Sequence, residues 1–170
     1  MGYKLRLSGI VEESSVDGPG FRYALFTQGC PHACPGCHNP HTHPFDGGSE
    51  RDTDDLLADI LSNPMLRGVT FSGGEPFCQP QPLAALAKDI HAHSKLDIIS
   101  FTGYTFEELV KHHDPAVYKL LAQTDILIDG RYIASQRDLT LRFRGSANQR
   151  VLDAKKSLAA GRAVSAAGKW

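Results

Sequence analysis

Four short apolar runs constrain the architecture of this chain: Phe21–Gln28 (FRYALFTQ), Gly68–Phe71 (GVTF), Leu96–Phe101 (LDIISF) and Asp125–Ile128 (DILI). They are short for helices and rich in β-branched and aromatic residues, which predicts buried strands. Between them the apolar residues switch to helical spacing. Asp52 or Thr53 caps a stripe of Leu56, Leu57, Ile60 and Leu61, and a second stripe carries Leu83, Leu86, Ala87 and Ile90. Thr105-Phe-Glu-Glu108 fits a capping box, and Asp114-Pro115 is an N-cap followed by proline at the first helical position. Leu5–Val11 reads as a weaker strand.

Strands alternating with helices predict βαβ units and a parallel sheet. A complete eight-fold barrel usually takes about 250 residues. At roughly 30 residues per unit, this chain of 170 has room for five or six. The expected fold is therefore α/β, an incomplete, laterally open TIM-like barrel whose parallel sheet carries outer helices. The core domain is expected to span residues 1–153. Residues 154–170 (AKKSLAAGRAVSAAGKW) are rich in small residues and read as a weakly ordered tail.

In such sheets, sites form in the loops after the strand C-termini. Three cysteines, Cys30, Cys34 and Cys37, follow the first run, and Ser72-Gly73-Gly74-Glu75-Pro76 follows the second. Thr102-Gly103-Tyr104 follows the third, and Asp129-Gly130-Arg131 the fourth. Three thiolates on one loop can hold three irons of a cubic iron–sulfur cluster and leave the fourth open, where a ferredoxin supplies four thiolates. Nearby His32, His38, His41 and His43 offer another completion, a closed Cys3His zinc tetrahedron. On local spacing alone both metals remain open. The strand-end glycines allow close backbone approach, and the Glu75 carboxylate suits an ammonium group. These two features supply a substrate site that a closed zinc tetrahedron would not need.

The CxxxCxxC loop followed by Gly73-Gly74-Glu75 resembles the radical S-adenosylmethionine (SAM) family, and within it the activating proteins of glycyl radical enzymes. The likeness spans roughly residues 11–153. It rests on Asp17-Gly-Pro-Gly-Phe-Arg22, GCPHACPGCHN ending at Asn39, Thr70–Pro76 (TFSGGEP), Thr102-Gly-Tyr104, Asp129-Gly130 and Phe143-Arg-Gly-Ser-Ala-Asn-Gln149. The last stretch, an FRGSxNQ pattern, resembles the activators of anaerobic ribonucleotide reductase in particular.

The resemblance implies that Cys30, Cys34 and Cys37 ligate one 4Fe-4S cluster. Gly36, Cys37 and His38 would flank SAM, with Gly73, Gly74 and Glu75 at its methionine end. One electron from an external reductant such as flavodoxin would cleave SAM to methionine and a 5′-deoxyadenosyl radical. That radical would take a hydrogen atom from a glycine of the catalytic subunit of anaerobic ribonucleoside-triphosphate reductase. The alternatives are activation of another glycyl radical enzyme, such as pyruvate formate-lyase, or radical chemistry on a small molecule. Many family members carry an aromatic residue before the third cysteine; Gly36 stands there in this chain. Cys78 matches no motif and is expected to play no cluster role.

The formal net charge is −1, with no Lys/Arg run to suggest a nucleic-acid footprint. No apolar stretch approaches the ~20 residues of a membrane span, and the first residues lack a signal-peptide pattern. A cytoplasmic location is expected, where reduced thiols favour metal or redox chemistry over disulfides.

Overall fold

The structure, a computed structural model, describes residues 2–166 and Gly168. In chain order the elements are β1 (Lys4–Ser14), β2 (Arg22–Thr27), β3 (Ser49–Asp52), α1 (Thr53–Leu61), β4 (Gly68–Gly73), α2 (Pro80–His93), β5 (Asp97–Phe101), α3 (Phe106–Lys111), α4 (Pro115–Gln123), β6 (Ile126–Asp129), β7 (Arg150–Asp153) and α5 (Ala154–Ala160). Among the described residues the strands form one sheet in the order β3-β1-β2-β4-β5-β6-β7.

The four runs legible in the sequence are the parallel centre of this sheet, β2-β4-β5-β6. The flanks differ from the expected all-parallel sheet. β1 pairs antiparallel with both β2 and β3, and β7 pairs antiparallel with β6. The reason lies in the connections: a parallel pair needs a crossover element, usually a helix. Only a turn joins β1 to β2, and no α-helix lies between β6 and β7. The sheet stays open, with β3 and β7 at its edges. The result is an α/β incomplete barrel with helices outside.

The helix boundaries follow their caps. Asp52, Thr105 and Asp114 each accept a backbone N–H from the first turn of α1, α3 and α4, each worth about 1 kcal/mol. The apolar stripes of α1 and α2 bury Leu56, Ile60, Leu83, Leu86 and Ile90 against Val69, Phe71 and Ile98 of the sheet. Burying each large side chain contributes about 1.5–3 kcal/mol. Among the described residues no helix is long and apolar enough to cross a membrane.

Strand alternation sends Ile99, Ile126 and Ile128 to the other face, where Ala166 covers them and Phe143 packs alongside. As far as residue 166, the segment expected to be a weakly ordered tail has regular structure and buried residues. Asp153 caps α5 through Lys156 N, Ser165 bridges to Leu152, and Ala166 is buried. Ala154, Leu158 and Ala163 pack with the helix-side core, and Ala166 on the opposite face of the sheet. Trp170, assigned to the same tail, lies outside the described residues.

At the N-terminal end of the parallel strands, Arg22 is fully buried. It donates to Thr70 Oγ1 at 2.7 Å, to the carbonyls of Pro19 and Val69, and to the Asp97 carboxylate. Burial pulls its pKa down, against the attraction of Asp97. Thr70 in turn donates to Asp17 O. The Asp17–Arg22 motif therefore locks β2, β4 and β5 together at the end of the sheet remote from the cysteines.

Candidate functional site

At the opposite end, β2 and β4 finish side by side, with Thr27 in register with Gly73. Gly74 N donates to Thr27 O at 2.8 Å and Glu75 N to Gly29 O at 2.9 Å. A Cβ on Gly73 would lie 2.5 Å from Thr27 N, and one on Gly74 would lie 2.5 Å from Gly29 O. Only glycine lets the two backbones meet so closely. The cysteine loop leaves this junction with Gly29 at φ +102 and winds back on itself. Cys37 N bonds Cys34 O, while Gly29 N and Cys30 N reach Thr42 O and His43 O. Buried Gln28 holds the returning strand of the loop by donating to His41 O and Pro44 O.

The three thiols are half-buried and line one cavity of about 210 Å³. Ser72, Gly73 and Gly74 form a second wall, Phe101–Gly103 a third, and Gly130 with Tyr132 a fourth. The loops after all four parallel strands thus converge, as the sheet topology requires. A larger cavity of about 630 Å³ adjoins it, sharing His32, Cys34, Gly130 and Tyr132. Burial pushes the Cys30 thiol up from its ordinary pKa, while the backbone N–H groups of His32 and Ala33 oppose this. Asn39 N likewise approaches Cys37 Sγ at 3.4 Å.

Of the residues expected at the site, Cys30, Cys34, Cys37, His38, Gly73 and Gly74 are brought together on the cavity wall. Gly36 stands at its edge at φ +76, where a Cβ would lie 3.6 Å from the Tyr132 ring. Glu75 is held by partners of its own. Its carboxylate is wholly buried and accepts from Phe77 N (3.0 Å), Thr102 Oγ1 (2.8 Å), Gly103 N (2.8 Å) and His32 Nε2 (2.6 Å). A carboxylate offers about four acceptor positions. All four are met by protein groups.

Tyr132 escaped the sequence reading. Its ring tilts against His38 with centroids 5.0 Å apart, and it supplies the aromatic surface that Gly36 lacks. The available signal was its position, two residues beyond Asp129-Gly130 in a rim loop. The FRGSxNQ stretch folds onto the same rim. Gln149 accepts from Gly145 N and Ser146 N and donates to Gly130 O, and Asn148 donates to Arg131 O. Gly145 and Gln149 reach the cavity wall. Asp129 is buried, caps α3 through Phe106 N and is clasped by Arg150, whose pKa is raised by Asp129 and Glu107.

Cys78 lines a separate surface depression with Gln79 and Phe45, apart from the three-thiol cavity. The residue is exposed, yet its thiol lies near buried Glu75 and Tyr104. Burial and the Glu75 charge raise its pKa to about 11.

Comparison with known proteins gives one consistent family. The family described as "4Fe-4S single cluster domain" matches residues 16–152. The anaerobic ribonucleoside-triphosphate reductase-activating protein of Vibrio cholerae is 37% identical over 142 residues, 79% of this chain and 88% of that one. Its counterpart in Escherichia coli is 34% identical over 142 residues, with 79% and 89% covered. The pyruvate formate-lyase-activating enzyme of Clostridium pasteurianum is 38% identical over 117 residues, covering 64% of this chain but 49% of that one.

Proposed function

This chain belongs to the 4Fe-4S single cluster domain family, alongside the anaerobic ribonucleoside-triphosphate reductase-activating proteins, and we propose on that premise how its own residues serve such an activase. Cys30, Cys34 and Cys37 would hold one 4Fe-4S cluster, whose open iron would be available to SAM. The observation that carries this reading is the single cavity lined by all three thiols and by the Gly73-Gly74 end of β4.

The donor set fits the cluster. Three sulfurs and no carboxylate line the cavity, and soft thiolates suit iron–sulfur clusters. Among the described residues, no three His, Cys, Asp or Glu side chains gather closely enough to hold a single metal ion. A cubane does not require that, because each thiolate meets a different iron. When bound and reduced, the cluster supplies one electron to the sulfonium of SAM, whose C–S bond breaks to give methionine and a 5′-deoxyadenosyl radical that abstracts a glycine hydrogen atom from the partner.

The chain's residues bind and orient. Gly73 and Gly74 offer bare backbone to the methionine end of SAM. His38 and Tyr132 flank a planar ring at the other, with Gly36 leaving space between the loop and Tyr132. The larger cavity, which meets the first at Cys34 and Tyr132, admits the glycine-bearing segment of the reductase catalytic subunit. An external one-electron donor such as flavodoxin would supply the electron. The reductase is favoured over pyruvate formate-lyase as target because its activators are matched nearly end to end, whereas the lyase activator is matched over half its length.

Anaerobically reconstituted protein mixed with SAM, a reductant and the reductase catalytic subunit is expected to give a glycyl-radical EPR doublet on the subunit. Cleavage of SAM without a radical on that subunit, but with one on pyruvate formate-lyase, would reassign the partner.

A further inference from the structure

Between β6 and β7 the chain leaves the rim in an excursion, residues 130–149, of which only the base lines the larger cavity, through residues 130–135 and Asn148. Its two legs are tied together. Ala147 N donates to Gln136 O at 2.9 Å, Ile133 N donates to Ser146 Oγ at 3.2 Å, and Arg137 bridges antiparallel to Ser146. The outer turn is anchored too. Asp138 accepts from Thr140 N and Thr140 Oγ1, and the Phe143 ring packs back against the inner face of the sheet. Even so, Leu139 is 82% exposed and Ile133 38%. One exposed leucine is ordinary on a protein surface; the charge around this one is not.

Residues 131–150 contain five arginines and one acidic residue, Asp138, in a chain whose net charge is −1. Arg131 pairs with Glu108, and Arg150 with Glu107 and Asp129. Arg144 donates to Gln149 O. Arg137 and Arg142 are exposed, and neither has an ion-pair partner among the described residues. The Arg142 guanidinium is held over the Phe143 ring, 5.2 Å from its centroid. Two free cations thus flank Leu139 in the chain, on a held turn whose base is the wall of the cavity. Such a patch steers and orients an acidic partner. A protein surface would also cover Leu139, which a nucleic-acid backbone would not. We propose that this excursion is the docking surface for the catalytic subunit whose glycine enters the cavity. Arg137 and Arg142 meet carboxylates of that subunit, and Leu139 and Ile133 meet its apolar side chains. The proposal rests on the reading of the larger cavity as the entrance for the glycine-bearing segment. Continuity with that entrance selects the occupant, because a protein whose segment fills the cavity lies across its rim.

The test is calorimetric titration of the reconstituted protein with the reductase catalytic subunit at ~0.05 M and ~0.5 M salt, which differ in how far charges act through solvent. Iron content and SAM cleavage without the subunit are read on the same samples. The double variant Arg137→Glu with Arg142→Glu is expected to bind about 10-fold or more weakly at low salt, with the gap closing at high salt. Leu139→Ser is expected to bind about 3-fold or more weakly at both salts, since it removes apolar contact. Both should keep wild-type iron content and SAM cleavage, because none of the three side chains lines either cavity. Unchanged affinity in the double variant at low salt would overturn the proposal. So would intact subunit binding with slowed reduction by flavodoxin, which would assign the face to the electron donor. Intact subunit binding with loss of self-association in light scattering would assign it to a second copy and overturn the proposal equally. Wild-type protein that cleaves SAM but does not bind the subunit would fail the choice of partner itself, and the docking surface with it. The wild-type titration reveals that before any variant is compared.

Discussion

Replacing Gly74 by alanine tests the junction on which the whole site stands. The added Cβ would lie 2.5 Å from Gly29 O and 3.0 Å from both Gly29 C and Thr27 O. These are backbone atoms, so no side chain can swing aside. Relief requires the ends of β2 and β4 to part, which stretches Gly74 N to Thr27 O and Glu75 N to Gly29 O. Overpacking of this kind costs about 1–3 kcal/mol, and each weakened buried hydrogen bond adds about 1 kcal/mol. A loss near 3 kcal/mol lowers Tm by about 6–12 °C for a chain of this size. Gly9→Ala is the control, because an exposed Cβ there meets nothing within 4 Å. Its effect should stay within about 1 kcal/mol. Thermal unfolding of the metal-free proteins by circular dichroism, followed by iron content after reconstitution, measures both consequences. Gly74→Ala is expected to melt lower and bind less iron, because Gly29 leads directly into Cys30. Equal melting of Gly74→Ala and wild type, or an equal fall in Gly9→Ala, would refute the steric argument.

Arg22→Met should cost about 3–5 kcal/mol in urea unfolding, since it strands buried acceptors on β4 and at the Asp17–Phe21 turn. Iron bound per folded molecule should not change, because the lock lies at the far end of the sheet. At pH 8, peptide mapping should find Cys78 alkylated more than about 10-fold more slowly than a cysteine peptide, because its pKa is raised to about 11 and the thiolate is scarce; alkylation at the peptide rate would contradict the placement of the thiol beside Glu75. Burial works to raise the Asp125 pKa, but Lys155, Ile98 N and His91 hold it below its ordinary value. That stability is present above the unfolded pKa of about 4 and is lost as pH falls through the lower folded value. Asp125→Asn should therefore flatten the acid limb of the stability–pH curve measured by urea unfolding, and an unchanged slope would count against the pair.

The central strands were legible because each carries an apolar run buried on both faces, as in Tyr23–Leu25 and Val69–Phe71. The caps at Asp52, Thr105 and Asp114 were legible because their chemistry is local. β3, with the sequence SERD and almost no buried surface, has no apolar signal and exists because β1 offers it an edge. The last helix was hidden because it is short and mostly Ala, Lys and Ser, with only Ala154 and Leu158 joining the helix-side core. At the site, residue types and spacing located the three thiols and the glycine wall. They could not reveal that four donors from three loops would consume the Glu75 carboxylate. Nor could they place Tyr132 beside His38, far away in sequence. Both depend on which rim loops face one another, a property of the sheet order.

The central claim is that three cysteines hold a cluster with one iron free for SAM. It is tested most directly by anaerobic reconstitution with iron and sulfide, reduction with dithionite, and EPR before and after adding SAM, with 5′-deoxyadenosine assayed in the same samples. The account predicts a reduced-cluster signal that changes on SAM addition and product that appears with it. Cys34→Ala should lose both and Cys78→Ala should retain both. A colourless protein that keeps zinc and releases no 5′-deoxyadenosine would contradict it, as would loss of product in Cys78→Ala.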